Sequence, residues 1–254
     1  MFRGLVMKVK GVILCGGPGK RLRPITYYFQ KSMIPIGKRQ KPLLEYIVRL
    51  FKYHGIEDLT LLVGYKSEQI VNYFDDGGRF GLKISYVKDD ENFKGTGGAL
   101  MNAYDKKFIG EDDRIIIYYG DIISDLDLRD LLNYHESHDA SATIALSKNF
   151  TIKVGLAELG PDGKIIGFIE KPKLDKPVST GILVLEGREL KSLREIMVKG
   201  KEMDLMRDAI PHLISLGKPV FGYLTEAFWY DVGSAEAYEK LDFNLVEEKL
   251  SHIL

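Results

Sequence analysis

An apolar run at residues 9–14 leads into the glycine-rich segment GGPG at residues 16–19, and Lys20 and Arg21 follow directly. Glycine lets the backbone approach an anion closely and adopt positive φ. Successive backbone N–H groups in such a loop bind phosphate oxygens, and an arginine adds bidentate hydrogen bonds. The segment therefore predicts a strand that leads into a phosphate-binding loop. The alternative is a tight surface turn with solvated basic residues.

Two common glycine motifs are excluded. A P-loop requires serine or threonine after its Gly-Lys pair, where this chain has Arg21. A dinucleotide fingerprint requires a third glycine, where this chain has Leu22. The loop therefore belongs to another class of phosphate-binding loop if it binds phosphate at all.

The composition predicts one globular domain over residues 1–254, since 45% of the residues are hydrophobic and suffice for a core. The 36 basic residues balance 36 acidic ones, so no overall charge attracts nucleic acid or an anionic membrane. The single Cys15 excludes an internal disulfide and fits a reducing compartment. No apolar stretch reaches the roughly 18 residues that a membrane span needs. We therefore predict a cytoplasmic protein that binds neither nucleic acid nor membranes.

Strand-like and helix-like segments alternate through the first 150 residues. Their spacing predicts strands at 9–14, 58–63, 83–87, 114–119 and 140–146, and helices at 42–54, 67–74 (capped by Ser67), 97–104 and 126–138. This alternation predicts a doubly wound α/β fold. Segment 114–119 is almost wholly apolar, as expected of a central, buried parallel strand.

The pattern changes after about residue 150. Segments 154–159 and 164–170 flank the turn sequence GPDG, which predicts a β-hairpin. A strand at 180–185, an amphipathic helix at 203–216 and a last helix from 235 to about 250 follow. We expect this half to add antiparallel structure over the carboxyl ends of the parallel strands, where ligands bind.

Four places carry side chains suited to phosphate or metal chemistry. Lys31 could neutralise a phosphate as a point charge. Asp121 follows the most apolar strand and could hold Mg²⁺ together with phosphate oxygens. Glu170 could accept hydrogen bonds from hydroxyls beside the cation of Lys171, and Asp231 could be a second carboxylate for Mg²⁺. Taken singly, each also fits a structural role: a solvated lysine, a turn or capping aspartate, or a surface salt bridge.

Taken in order, these motifs resemble those of the sugar-1-phosphate nucleotidylyltransferases, the pyrophosphorylases that make nucleotide sugars. The resemblance covers about residues 10–238. It rests on GGPGKRLRPIT at 16–26, Lys31 with Ile34-Pro35, KGTGGAL at 94–100, Gly120-Asp121, Glu170-Lys171-Pro172, Thr180-Gly181-Ile182 and Trp229-Tyr230-Asp231-Val232-Gly233. The GTGGAL segment also resembles guanylyltransferases that use mannose 1-phosphate or a heptose 1-phosphate.

The resemblance implies a Rossmann-like nucleotidyltransferase fold and the reaction NTP + sugar 1-phosphate → NDP-sugar + pyrophosphate. It also implies a role for each matching residue. The nucleotide would be bound by Gly16, Gly17, Gly19, Gly95 and Thr96. Lys31 would contact the phosphates, Arg21 would stabilise the departing pyrophosphate, and Asp121 and Asp231 would hold Mg²⁺. The sugar would be bound by Gly155, Glu170 and Ser179, and the sugar phosphate by Lys171.

Members of the resembling family have a residue that recognises the base five positions before the glycine equivalent to Gly95. In this chain that residue is Asp90. Uridylyl and thymidylyl members usually have glutamine there. A carboxylate only accepts hydrogen bonds, and guanine offers two adjacent N–H donors, so Asp90 favours GTP. The alternative is that Asp90 is a surface residue and the register is off by one or two.

Three positions depart from the family pattern: Gln30 replaces the usual proline, Lys20 the usual threonine, and Ser179 the usual asparagine at the sugar. We expect no C-terminal left-handed β-helix, hence no acetyltransferase activity and no oligomerisation through such a domain. A homo-oligomer formed through another surface stays open.

The sequence therefore predicts Mg²⁺-dependent nucleotidyl transfer from GTP to mannose 1-phosphate. Alternatives within the chemistry are UTP, dTTP or CTP as donor, with glucose 1-phosphate or another phosphate as acceptor. A non-catalytic subunit that only binds nucleotide sugar is the alternative of another class. That subunit would be expected to have lost Arg21, Lys31 or one of the two aspartates, and all are present.

Overall fold

The computed structural model describes residues 8–148 and 150–254, so residues 1–7 and 149 of the expected domain lie outside the described residues. The strands are β1 (Lys8–Cys15), β2 (Pro35–Ile36), β3 (Lys41–Pro42), β4 (Asp58–Val63), β5 (Lys83–Lys88), β6 (Asp113–Tyr119), β7 (Ile122–Ser124), β8 (Ala142–Ser147), β9 (Leu156–Leu159), β10 (Ile165–Ile169), β11 (Val178–Glu186), β12 (Val220–Thr225) and β13 (Trp229–Asp231). The α-helices are α1 (Leu43–Tyr53), α2 (Ser67–Phe74), α3 (Gly95–Asp105), α4 (Leu128–Ser137), α5 (Leu190–Ile196), α6 (Ile210–Ser215), α7 (Ala235–Glu239) and α8 (Phe243–Leu250).

A seven-stranded sheet in the order β12-β8-β11-β6-β1-β4-β5 forms the centre. Every neighbouring pair is parallel except those of β11, which runs antiparallel to both β6 and β8. The expected α/β class with a mostly parallel sheet is therefore confirmed. Segment 114–119, which was predicted to be a central parallel strand, is parallel on one side only. As part of β6 it has a parallel neighbour, β1, and an antiparallel neighbour, β11.

Two apolar cores cover the two faces of this sheet. Along β6, Ile116 and Tyr118 enter the core shared with α1, α2, α4 and α8, whereas Ile115 and Ile117 enter the core shared with α3, α5 and α6. Successive side chains of a strand point to opposite faces, so a strand covered on both sides must be apolar throughout. This is the physical reason for the uninterrupted apolar run that the sequence shows there.

Several helix boundaries differ from expectation. Ser67 does not cap α2, because the helix starts at Ser67 itself and the preceding Lys66 makes no side-chain cap. The helix expected at 203–216 consists of a π-helical turn (Leu205–Ala209), capped by Asp204, and then α6. The last helix is divided into α7 and α8, where the side chain of Asp242 caps a new helix start. The Asp242 cap thus interrupts a segment that hydrophobic periodicity alone predicts as continuous, whereas the change from the π-helical turn to α6 involves no side-chain cap.

The expected β-hairpin is present as β9 and β10, which form a separate two-stranded antiparallel sheet. A second small sheet pairs β7 with β13. It joins the segment after β6 to the segment before α7, more than 100 residues later in the chain. Within the part of the chain that the structure describes, no helix has the length and hydrophobicity needed to cross a membrane.

A buried polar network joins β6, β11 and α4. The carboxylate of Glu186, 1% exposed, lies 2.6 Å from Arg114 Nε and 2.9 Å from His135 Nε2. Burial opposes ionisation of Glu186, but the hydrogen bonds from His135 and Arg114 outweigh it and hold the pKa of that carboxyl below its usual value. The charged form of Glu186 therefore contributes to folding stability.

We expect Glu186→Gln to lower the free energy of unfolding by about 3 kcal/mol at pH 7, because it removes a buried counter-charge. When folding lowers the pKa of a carboxyl group, its full contribution to stability is present at pH values above the pKa of the unfolded state. The contribution is lost as the pH falls through the pKa of the folded state. The difference between the variant and the wild type should therefore shrink in acid, as urea unfolding at pH 7 and pH 4 would measure. Glu136→Gln is the control, since Glu136 is an exposed partner of Arg114 at 3.7 Å. Equal stability of Glu186→Gln and wild type at pH 7 would contradict the prediction.

Candidate active site

A central cavity of about 420 Å³ lies at the carboxyl ends of β1, β4, β5 and β6. Its lining brings together seven of the residues singled out from the sequence: Gly16, Gly17, Lys31, Asp90, Gly95, Thr96 and Asp121. Side chains that the sequence had not singled out, among them Phe93 and Tyr119, also line it. The cavity therefore lies at the edge of the sheet where the sequence predicts a ligand crevice.

The glycine loop needs glycine where it turns toward Arg21. Gly19 has φ +59°, and a Cβ there would lie 2.8 Å from Thr26 Cγ2 and 3.2 Å from Lys31 Cβ. The Thr26 hydroxyl donates a hydrogen bond to the Gly19 carbonyl at 2.8 Å. A short 3-10 turn follows, in which Leu22 is fully buried and Arg21 stays exposed. Burial of Leu22 thus anchors the turn that presents the Arg21 guanidinium.

Gln30 fixes the position of Lys31. The Gln30 side chain is fully buried, donates to the Cys15 carbonyl at 2.6 Å and accepts from the Ser32 N–H at 2.6 Å. It thereby ties the turn around Lys31 to the last residue of β1. Apart from its departure from the family pattern, nothing in the local sequence indicates this role of Gln30, because its partner Cys15 lies 15 residues away.

Four charged side chains, Arg21, Lys31, Asp121 and Asp231, meet beside the central cavity and are called the charged cluster below. Lys31 Nζ forms an ion pair with Asp121 Oδ2. The Val232 N–H donates to the Asp121 carbonyl at 2.9 Å, so the pairing of β13 with β7 holds Asp231 next to Asp121.

Arg21 approaches Asp231 through the space left by a glycine. A Cβ on Gly233 would lie 2.5 Å from Asp231 Oδ1 and 2.9 Å from Arg21 Nη2. Burial raises the pKa of Asp231 and the Asp121 carboxylate raises it further, whereas Lys31 and Arg21 act in the opposite direction. The charged cluster therefore places two cations around two carboxylates that repel each other.

The carboxylate pair fits a magnesium ion. Mg²⁺ is usually held by one or two carboxylates together with substrate phosphate oxygens. Residues 8–148 and 150–254 contain no group of three or more His, Cys, Asp or Glu side chains that could hold a metal ion by themselves. An ion between Asp121 and Asp231 would thus depend on oxygens of the substrate, and Mg²⁺ stays a prediction.

The two aspartates after β5 have different surroundings. The Asp90 carboxylate accepts hydrogen bonds from the Asn92 N–H at 2.9 Å and from Asn92 Nδ2 at 3.0 Å, and these bonds lower the pKa of Asp90. The Asp89 carboxylate instead packs against the loop, where a Cβ on Gly16 would lie 2.7 Å from Asp89 Oδ2. Burial raises the pKa of Asp89. Asp90 thus closes its own turn, whereas Asp89 lies against the glycine loop of the cavity.

The start of α3 is held by a segment that the sequence had not connected to it. The Gly97 and Gly98 N–H groups donate to the Met203 carbonyl at 2.9 and 3.2 Å. The Thr96 hydroxyl donates to Asp204 Oδ2 at 3.0 Å. Thr96 lines the cavity, yet its hydroxyl and these two backbone N–H groups already have protein partners.

The residues expected at the sugar lie outside the lining of the central cavity. Gly155 and Glu170 are neighbours, because a Cβ on Gly155 would lie 2.8 Å from Glu170 Oε2. Glu170 and Lys171 form an exposed ion pair of 3.9 Å. Ser179 accepts a hydrogen bond from the Gly181 N–H at 3.3 Å. The structure thus groups Gly155, Glu170 and Lys171 at the base of the β9–β10 hairpin.

The sequence of residues 10–248 matches the family model described as Nucleotidyl transferase. The chain belongs to the nucleotidyl transferase family. A similar protein is a UTP–glucose-1-phosphate uridylyltransferase of Synechocystis sp. Its sequence is 33% identical to this chain, over 91% of this chain and 61% of the relative. A mannose-1-phosphate guanylyltransferase of Mycobacterium tuberculosis is 30% identical over 94% of this chain and 65% of the relative. This nucleotidyl transferase chain thus spans less than two thirds of the length of these two relatives.

Solved structures confirm the nucleotidyltransferase fold. A Bacillus anthracis protein assigned as a glucose-1-phosphate thymidylyltransferase superposes with a TM-score of 0.68 and 24% identity, over 93% of this chain and 99% of that one. HddC from Yersinia pseudotuberculosis, complexed with GMP-PN, superposes with a TM-score of 0.66 and 22% identity, over 91% and 96% of the two chains. At these levels of sequence identity, the two superpositions support the fold of this nucleotidyl transferase and nothing beyond it.

Proposed function

We propose that this chain transfers a nucleotidyl group from an NTP to a sugar 1-phosphate and releases pyrophosphate. The observation that carries this proposal is the charged cluster, in which Arg21, Lys31, Asp121 and Asp231 meet beside the central cavity. Membership of the nucleotidyl transferase family supports the reaction class. Relatives named for uridylyl and guanylyl transfer to sugar phosphates support the acceptor class.

The reaction needs positioning and charge neutralisation more than proton transfer. A phosphate oxygen of the sugar 1-phosphate forms a bond to the α-phosphorus of the NTP, and the bond from that phosphorus to the bridging oxygen of pyrophosphate breaks. The nucleophile is already ionised near neutral pH, so no general base is required. Fixed cations that face the phosphates lower the barrier because negative charge moves onto the departing group.

The four side chains of the charged cluster have different roles in this reaction. Lys31, which Gln30 holds in place, contacts the phosphates, and Arg21 stabilises the departing pyrophosphate as charge develops on it. Asp121 and Asp231 would hold Mg²⁺, which would supply Lewis-acid neutralisation of the phosphate oxygens. The Asp121–Lys31 ion pair keeps the lysine ammonium at the place where the phosphates enter.

Residues at the base of the β9–β10 hairpin bind the acceptor, the sugar 1-phosphate. Glu170 accepts hydrogen bonds from sugar hydroxyls, and Lys171 binds the sugar phosphate. Gly155 leaves room beside Phe168 and Glu170, because a Cβ there would lie 2.3 Å from Phe168 Cζ and 2.8 Å from Glu170 Oε2. Ser179 accepts a hydrogen bond from the Gly181 N–H, and a Cβ on Gly181 would lie 3.1 Å from Ile122, the residue after Asp121.

For the base, we favour GTP, with mannose 1-phosphate as acceptor, and we assign base reading to Asp89 in place of Asp90. The Asp90 carboxylate is occupied by Asn92. Among the described residues no hydrogen bond or ion pair engages the Asp89 carboxylate, which lies against Gly16 in the cavity wall. A free carboxylate there suits the paired N–H donors of guanine.

The proposed reaction is tested by pyrophosphate release with Mg²⁺ across four NTPs and a panel of sugar 1-phosphates. We expect turnover that is fastest with GTP and mannose 1-phosphate. Preference for UTP, dTTP or CTP would keep the mechanism and overturn the base assignment. Binding of a nucleotide sugar without any release of pyrophosphate would overturn the enzyme and favour a regulatory subunit.

We expect Asp89→Asn to lower kcat/KM for GTP by about 20-fold, because two hydrogen bonds to a charged acceptor are weakened. Asp90→Asn is the matched control and should change kcat/KM by less than about 2-fold, since only a local turn loses its acceptor. Steady-state kinetics of both variants with GTP and UTP separate loss of base reading from general damage. A larger loss in Asp90→Asn than in Asp89→Asn would restore the register read from the sequence.

A further inference from the structure

The backbone between Arg21 and Lys31 carries large aromatic side chains on the outside of the molecule. We call residues 22–30 the connecting segment, since it joins the two cations of the charged cluster. Three of its aromatic side chains are between 43% and 73% exposed: Tyr27, Tyr28 and Phe29. A stretch that leaves its large apolar groups in water gains little stability from burial. The conformation of this stretch therefore depends on hydrogen bonds to neighbouring residues.

These hydrogen bonds come from the first turn of α2 and the residue just before it. The Lys66 ammonium donates to the Tyr27 carbonyl at 2.6 Å. Gln69 Nε2 donates to the Tyr28 carbonyl at 2.7 Å, and Gln69 Oε1 accepts from the Gln30 N–H at 2.6 Å. Both ends of the Gln69 side-chain amide are thus bonded to the backbone of the connecting segment.

The hydrogen bonds continue from Gln30 to both sides of Lys31. The fully buried Gln30 side chain donates to the Cys15 carbonyl and accepts from the Ser32 N–H, both at 2.6 Å. The Gln30 backbone N–H is the group that Gln69 binds. Lys31 therefore lies between one residue that is bonded to α2 and to the end of β1, and another that is bonded to the Gln30 side chain.

Lys66 has a strained backbone conformation. Its φ is +52°, in the left-handed region that favours glycine. Other residue types persist there only where the surrounding structure holds them, and such positions are concentrated at functional sites. A glycine at this position could not supply the hydrogen bond from the ammonium to the Tyr27 carbonyl. The strain at Lys66 therefore indicates a role in holding the connecting segment.

We propose that the first turn of α2 positions Lys31, with Gln69 and Lys66 as positioning residues that act through the connecting segment. This role rests on the proposed function, in which Lys31 contacts the phosphates. Nucleotidyl transfer requires close alignment of the reacting groups, and a displacement of about 1 Å can lower the rate by about 100-fold. A residue that never touches substrate can therefore affect kcat through the position of the Lys31 ammonium.

The test is a double-mutant cycle of Gln69→Ala and Lys31→Ala, measured as kcat for pyrophosphate release. We expect Gln69→Ala alone to lower kcat by about 30-fold, with KM for the NTP changed by less than about 3-fold. In the Lys31→Ala background, Gln69→Ala should lower kcat by less than about 2-fold, because the group that Gln69 positions is gone. Gln69→Glu, which keeps an acceptor for the Gln30 N–H, should recover part of the loss.

Asn72→Ala is the matched control, since it removes an exposed side-chain amide from the same helix. It should keep wild-type kcat. Equal losses from Gln69→Ala with and without Lys31 would overturn the proposal, and so would wild-type kcat in Gln69→Ala.

Lys66→Gly separates the positioning role from a role in stability alone. Glycine adopts the left-handed conformation without strain, so the melting temperature should not fall. We expect kcat to fall by about 5-fold, because the hydrogen bond to the Tyr27 carbonyl is lost. A melting temperature and kcat that fall together would assign Lys66 to stability and overturn its positioning role.

Hydrogen exchange without substrate tests the same contacts independently of turnover. Protection of the Gln30 and Ser32 backbone amides should fall in Gln69→Ala and persist in Asn72→Ala. Unchanged protection in Gln69→Ala would overturn the proposal. A wild type that releases no pyrophosphate with any substrate pair would instead overturn the proposed function, and hydrogen exchange would then decide whether α2 holds the residues around Lys31.

Discussion

Asp121→Asn is expected to lower kcat by about 1,000-fold in the pyrophosphate-release assay, the upper range for loss of one charge-stabilising group. The carboxylate pairs with Lys31 and lies next to Asp231, so its loss affects both the phosphate-facing cation and the carboxylate pair that would hold Mg²⁺. Asparagine has nearly the same shape, so the backbone bond from Val232 to the residue 121 carbonyl should persist. The loss therefore reports on charge and not on folding.

The control for this experiment is Asp112→Asn, an exposed aspartate in the turn at the opposite end of β6. It should keep wild-type kcat and thermal stability. A second readout is the concentration of Mg²⁺ that gives half-maximal rate, which should rise in Asp121→Asn. An Asp121→Asn enzyme with wild-type kcat and unchanged Mg²⁺ dependence would remove Asp121 from the proposed mechanism.

The sheet could be predicted from the sequence because burial on both faces imposes a recognisable pattern. The strand expected at 58–63 coincides with β4, and the apolar run at 114–119 falls within β6. Strand direction could not be predicted in the same way. β11 is apolar like its neighbours, and nothing in a run of apolar residues distinguishes an antiparallel strand from a parallel one.

Helix boundaries were harder to predict, since they depend on individual hydrogen bonds. Hydrophobic periodicity starts at residue 203, whereas the helical segment starts at Leu205, because Asp204 accepts hydrogen bonds from the Met206 and Arg207 N–H groups and caps the π-helical turn. The same aspartate accepts a hydrogen bond from Thr96. One side chain thus determines both a helix start and the environment of a cavity residue 108 positions away.

The charged cluster shows the limit of local reasoning most clearly. The position of Asp121 after an apolar strand indicates a place in the ligand crevice, but Asp231 is the last residue of the short strand β13, which carries no comparable signal. The sequence supplied that carboxylate only through the order of motifs in a resembling family. Its physical cause is the pairing of β13 with β7, a contact between segments that are far apart in the chain. Gln30 and Met203 act through contacts of the same kind.

Arg21→Gln is expected to lower kcat by about 100-fold with a smaller change in KM, because the guanidinium acts on charge that develops as pyrophosphate departs. The matched control is Arg23→Gln, since Arg23 carries the same charge two residues later but stacks over the ring of Tyr27 at 5.1 Å. Arg23→Gln should stay within about 2-fold of wild type.

Arg21→Lys separates the geometry of the guanidinium from its charge. Lysine keeps the positive charge but lacks the planar fork that binds two phosphate oxygens at once. It should therefore restore only part of the lost kcat, in single-turnover experiments that isolate the transfer step from product release. If Arg23→Gln lost as much activity as Arg21→Gln, the overall positive charge of the loop would be what matters. The position of Arg21 beside Asp231 and Gly233 would then have no catalytic role.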